Sequence, residues 1–149
     1  MKFFKKIFSR LRKSLTQKKY NEMLLLDTLE QRFSSIHDHN LWSSKESKSG
    51  TGSELEYTRP AIDWLIKTIS LHKIQTCVDA PCGDFNWMRF VLKDVNVKYI
   101  GLDIVEELVR TNNLHYSDQR TTFLRNNICS DQIPECDLLV VRDCLFHLS

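Results

Sequence analysis

At 149 residues, 42% of them hydrophobic, the chain has the size of one globular domain and enough apolar content for a core. Its formal charge of +2 hides a division: residues 1–19 carry eight Lys or Arg and no acid, while the other 130 hold thirteen basic against nineteen acidic residues, a balance of −6. So acidic a body excludes general nucleic-acid binding, which needs clustered cations against phosphates, and no stretch approaches the ~18–20 apolar residues of a membrane span or a signal peptide's apolar region. A cytoplasmic location follows as the expectation. The five cysteines (Cys77, Cys82, Cys129, Cys136, Cys144) lie mostly in apolar runs and form no CxxC pair, so they read as buried thiols and no metal is expected.

Residues 2–15 set Phe3, Phe4, Ile7, Phe8, Leu11 and Leu15 on one helical face and Lys and Arg on the other. Two readings of this basic amphipathic segment stand side by side: a reversible foot on anionic lipid, and an extension that docks on its own domain or frays. Residues 21–36 continue helically with Met23, Leu24, Leu26, Leu29 and Phe33 as the apolar positions. From His37 to Ser53 the texture turns to Ser, Gly and Asn and predicts a loop. His37 and His39 in it read as solvated imidazoles, and Ser49-Gly50-Thr51-Gly52-Ser53 reads as flexible, although such a run can also wrap a ligand with backbone donors. A helix is predicted over Glu54 to Leu71, capped by a Ser53/Glu56 box or by Thr58 or Arg59 ahead of Pro60. Its inward face is Ala61, Ile62, Leu65, Ile66 and Ile69, with Trp64 also assigned to the core.

Strands and helices then alternate. Strands are predicted over Gln75–Asp79, Lys98–Asp103, Thr122–Arg125 and Asp137–Arg142, with helices near Phe85–Lys93 and Val105–Asn113. This order predicts βαβ units with right-handed crossovers, hence an α/β fold with a Rossmann-like parallel sheet flanked by helices and covered on both faces. Three stretches result: a basic helix over 1–20, a helix and Ser/Gly-rich loop over 21–53, and the α/β domain over 54–149.

The chemistry concentrates where the first strand ends, in Val78-Asp79-Ala80-Pro81-Cys82-Gly83-Asp84. Asp79 and Asp103 stand 24 positions apart, each closing an apolar strand, and adjacent parallel strands bring both to one rim. A carboxylate such as Asp103 suits the two hydroxyls of a ribose, with a helix cap as the structural alternative. The turn departs from GxGxxG: Gly83 is its one glycine and Pro81 lacks a donor, so a pyrophosphate cradle is disfavoured and a nucleoside without phosphates fits better.

With Tyr99-Ile100-Gly101-Leu102-Asp103-Ile104 and Asp137-Leu138-Leu139-Val140-Val141-Arg142-Asp143-Cys144-Leu145-Phe146-His147, this turn resembles the class I S-adenosylmethionine-dependent methyltransferases. The likeness is nearest to a bacterial branch with an Asp-x-Pro-Cys-Gly-Asp loop, and it extends from about Leu41 to Ser149. The resemblance implies that Asp79 and Gly83, with backbone groups of Ala80 and Cys82, line the methionine end of the cofactor. It also implies that Asp103 binds the ribose and that Asn127 stands where an acid usually meets the adenine amine. Asp143 would then contact the methionine amine or the substrate. Ser53 and Thr58 would close over the cofactor. If the accepting nucleophile must lose a proton, Asp143 or His147 is the candidate base.

The implied full fold has seven strands in the order 3-2-1-4-5-7-6. Four are readable here, so the chain reads as a C-terminally truncated piece with strand four as an apolar edge. The activity expected is methyl transfer from S-adenosyl-L-methionine to a small-molecule, sugar or lipid acceptor. An inactive adenosyl-binding module and a peripheral membrane or interaction protein working through residues 1–19 are the rivals. No residue selects the acceptor or the oligomeric state.

Overall fold

Short, near-continuous apolar runs decide the centre of the molecule, because a parallel strand covered on both faces buries successive side chains. The computed structural model describes residues 15–148. In chain order these form α1 (residues 15–24), α2 (Leu29–His39), α3 (Leu55–His72), β1 (Thr76–Asp79), α4 (Met88–Asp94), β2 (Lys98–Asp103), α5 (Glu106–Tyr116), β3 (Thr121–Arg125) and β4 (Leu138–Val140). Single 3₁₀ turns cover Thr51–Ser53 and Leu145–His147. The four strands make one all-parallel sheet in the order β3-β2-β1-β4, a Rossmann-like α/β arrangement flanked by five helices. In its register Cys77 lies beside Tyr99 and Leu138, and Asp79 beside Gly101 and Val140.

One face carries Cys77, Tyr99 and Phe123 and is packed by Ile62, Leu65 and Ile69 of α3, Met88 and Val91 of α4 and Val109 of α5. The other presents Val78, Ala80, Ile100 and Leu102 to Ile128, Ile133 and Cys136, which belong to the helix-free connection between β3 and β4. Both faces are thus covered, as expected, one by helices and the other by this connection. This connection holds Pro134 and lacks an apolar helical period, so it covers the second face as a loop and leaves Leu124 and Leu139 exposed.

Local sequence explains the other departures. The single helix expected over 21–36 is two, because Thr28 starts a new one: its hydroxyl accepts from Gln31 N–H while Gln31 Oε1 accepts from Thr28 N–H, a reciprocal capping box. Asn40 in the left-handed region closes α2. The cap proposed for α3 is also different. Neither Ser53, Thr58 nor Arg59 supplies it; Glu46 Oε1 accepts from Leu55 N–H at 2.8 Å, and Thr58 is buried inside the helix with its hydroxyl donating to Glu54 O. Trp64, assigned to the core, lies 60% exposed on the outer face of α3.

The helix expected from Phe85 begins three residues later. Phe85 has φ +58° and is drawn under the sheet against Tyr99, Tyr116 and Phe123, with ring centroids 5.0–5.3 Å away. β4 is shorter than expected because Asp143 turns the chain at φ +49°. The basic segment 2–15 lies outside the described residues except for Leu15. Among the described residues, no helix is long and apolar enough to cross a membrane.

Candidate functional site

The carboxyl ends of the strands open on a cleft of about 1020 Å³ of atom-free space, part of it continuous with solvent. Asp79, Ala80, Cys82, Gly83, Asp103, Asn127, Asp143 and His147 all line it, so the topology brings these sequence-predicted residues to one cleft. Ser53 is there as well, whereas Thr58 is not, its hydroxyl being taken up within α3.

Backbone hydrogen bonds explain the character of the floor. Ala80 N–H donates to Val140 O at 2.9 Å, Cys82 N–H to Leu102 O at 2.7 Å, and Gly83 N–H to Asp103 Oδ2 at 3.0 Å. Asp84 N–H donates to Ser49 Oγ at 2.9 Å and Phe85 N–H to Cys82 O at 3.3 Å, while Pro81 has none. Every amide proton of the turn is thus engaged inside the protein, which leaves no nest for phosphate oxygens. The same bonds tie the N–H groups of Ala80 and Cys82 to neighbouring strands.

Two buried carboxylates remain. Asp79 accepts from the Tyr99 hydroxyl at 2.9 Å; burial pushes its pKa up to about 7, against the pull of that hydrogen bond and with a further push from Asp103. Asp103 accepts from Gly83 N–H and, at 2.9 Å, from Val105 N–H ahead of α5; burial raises it to about 6, and those two hydrogen bonds oppose the rise. Asp103 does not cap α5, whose N-cap is Val105 without a side-chain hydrogen bond; it fixes the turn ahead of the helix and lines the cleft, each carboxylate oxygen having a second lone pair free. Asn112, itself buried, donates to Gly83 O at 2.8 Å and holds the turn from below.

At the β3 end, Asn127 Oδ1 accepts from Cys129 N–H at 3.0 Å. Its neighbour Asn126 also lines the cleft, and Asn126 Oδ1 is buried without a hydrogen-bond partner among the described residues. At the β4 end, Asp143 Oδ2 lies 3.1 Å from Arg142 Nη2, and the His147 ring stands 5.5 Å from Trp42.

The remaining wall comes from α2, read from sequence only as a packing helix, and from the segment that follows it. Leu29, Phe33, Ile36 and His37 of α2 form an apolar side, joined by Trp42, Lys48 and Ser49. The run read as flexible is held down. Asp84 accepts from Ser47 Oγ at 3.0 Å and Lys48 N–H at 2.8 Å while donating to Ser49, and Asn86 Nδ2 bridges Glu46 Oε1 and Ser53 O. The signal was present in Asp84 and Asn86, polar residues inside an otherwise apolar stretch. His37 is largely enclosed and meets Asp38, whereas His39 turns back to Ser35 O, and no group of three or more potential metal ligands occurs among the described residues. Compared with known proteins, the chain matches no family model, and no curated protein matches it.

Proposed function

We propose that the cleft is an adenosyl pocket and that the chain binds S-adenosyl-L-methionine in the manner of a methyltransferase. The observation that carries this reading is that Asp79 and Asp103 lie at the ends of adjacent parallel strands, Asp103 holding Gly83 N–H, beside a turn with no free N–H for phosphate. A nucleoside with a cationic end and no phosphate suits such a donor and acceptor set.

The residues present fit that ligand. Asp103 would accept from ribose hydroxyls through its free lone pairs. Asn126 Oδ1, a buried acceptor lacking a donor, would be satisfied by an exocyclic amine such as that of adenine, with Asn127 beside it. Asp79, ionised, would face the cationic amino-acid end, with Tyr99 fixing the orientation of its carboxylate.

When bound, the sulfonium supplies a methyl group activated for in-line displacement. The protein's part is then positioning and exclusion of water: Phe33, Ile36, Trp42 and Leu148 give the cleft its apolar side. Orientation of this kind contributes up to ~7–11 kcal/mol of barrier lowering. Asp143 or His147, on the wall beyond Asp79, would take a proton from an acceptor that must lose one.

Titration calorimetry with S-adenosylhomocysteine, together with a methyl-release assay, tests the proposal. Saturable binding with turnover supports it in full, and binding without turnover makes the chain an adenosyl-binding module. Absence of binding would remove the adenosyl reading.

A further inference from the structure

Arg142 follows β4 and enters the cleft wall with a guanidinium that the fold positions but does not saturate. Its side chain is 22% exposed. The guanidinium carbon lies 5.6 Å from the ring centroid of Trp87, which is buried, and 5.8 Å from that of Tyr57 in the first turns of α3. One carboxylate, Asp143, meets it at 3.1 Å, and among the described residues no other protein acceptor does. Asp79 feels its positive charge, which puts Arg142 within electrostatic reach of the buried carboxylate at the centre of the cleft.

A guanidinium carries five N–H donors in a planar fork suited to carboxylates. Two aromatic rings flank it and one exposed carboxylate occupies part of the fork, leaving donors available at the cleft. The surroundings are enclosed enough to weaken screening by water and open enough to admit a ligand.

We infer that Arg142 is an anion subsite of the cleft and pairs with a carboxylate of the bound molecule. That carboxylate has two sources: the amino-acid end of the adenosyl ligand, in which case the inference rests on the function proposed above, or the methyl acceptor. In the first case Arg142 and Asp79 recognise the two charges of one amino acid. In the second the subsite selects acidic acceptors.

The experiment uses the full chain and three probes: S-adenosylhomocysteine, 5′-methylthioadenosine, which has the same nucleoside and no amino-acid end, and acetate. Affinities for the two nucleosides are measured by calorimetry in wild type, Arg142→Gln and Arg142→Lys. Acetate is followed through the Arg142 Nε–H resonance in the wild-type protein.

For the cofactor source, Arg142→Gln weakens S-adenosylhomocysteine tenfold or more and 5′-methylthioadenosine less than twofold, with Arg142→Lys between. For the acceptor source, both nucleosides keep their affinity in Arg142→Gln, and acetate moves the Arg142 signal in protein saturated with S-adenosylhomocysteine. Unchanged nucleoside affinity with an unmoved signal overturns the subsite. So does equal weakening of both nucleosides in a folded Arg142→Gln, which marks a structural prop. If that variant does not fold, acetate on wild type decides: a shift supports the subsite and no shift removes it. If neither nucleoside binds wild type, the adenosyl reading falls alone, and the same acetate titration on the free protein judges Arg142.

Discussion

Gly83 shows how one residue can be held by both conformation and space. Its φ of +56° favours glycine, and a Cβ there would stand 2.3 Å from Ser49 Oγ. Gly83→Ala should therefore destabilise the fold by about 1 kcal/mol or more. Adding Ser49→Ala should recover the steric part and leave the conformational part, which a double-mutant cycle by urea denaturation resolves. Asp103 is held differently, since two buried N–H groups depend on it. Asp103→Ala should cost roughly 1–3 kcal/mol of stability for each donor left unpaired. It should also weaken S-adenosylhomocysteine by roughly 1.5–3 kcal/mol if the ribose contact is as proposed. Unchanged calorimetric affinity in a folded variant would end that assignment.

Among elements, the segment between α2 and α3 joins the cleft through side chains more than through backbone. Asp84 makes three hydrogen bonds with residues 47–49, and Gly52 lets the Asp143 carboxylate approach, since a Cβ there would be 2.8 Å from Asp143 Oδ2. Asp84→Ala should release this strap while β1 and β2 stay paired. Limited proteolysis should then cut within residues 44–53 faster than in wild type, with little change in far-ultraviolet circular dichroism. Equal cleavage rates would show that Asn86 and the packing of Trp42 hold the segment without Asp84. The two sheet edges differ in the same way. Asn113 of α5 donates to Phe123 O at 2.7 Å and accepts from Phe123 N–H at 3.3 Å, so one side-chain amide occupies the open side of β3. β4 has no such cover among the described residues, and Leu139 on it is 42% exposed. Leu139→Lys should reduce concentration-dependent light scattering, and unchanged scattering would place any association elsewhere.

For the molecule as a whole, the two buried carboxylates set a dependence on pH. Asp79, at about 7, and Asp103, at about 6, both stand above the ordinary value of 3.8. Between those limits the folded state binds more protons than the unfolded chain, so stability falls as pH rises from about 4 through 7. Their contribution is greatest with both groups protonated and is lost once both are charged. Asp79→Asn keeps an acceptor for Tyr99 and removes the charge. Its melting temperature relative to wild type should therefore increase between pH 5 and pH 8, and a constant difference would show that Asp79 titrates normally. A ligand with a cationic end should reverse this cost and release protons on binding near pH 6.5, visible as calorimetric heats that vary with the buffer.

The sequence by itself determined the order of strands and helices, the bounds of β2 and the placing of Asp79 and Asp103 at adjacent strand ends, because continuous apolar runs and strand-end acids are local patterns. Gly83 was legible for the same reason: a lone glycine in a turn after an apolar strand. Tertiary structure alone decided that Phe85 leaves its helix for an aromatic cluster, that Asp84 and Asn86 anchor a distant Ser/Gly run, and that Trp87 and Tyr57 frame Arg142. Those contacts join residues some 14 to 85 positions apart. No local period encodes them, because they exist only once the sheet has assembled and its carboxyl edge offers polar partners that the chain must satisfy.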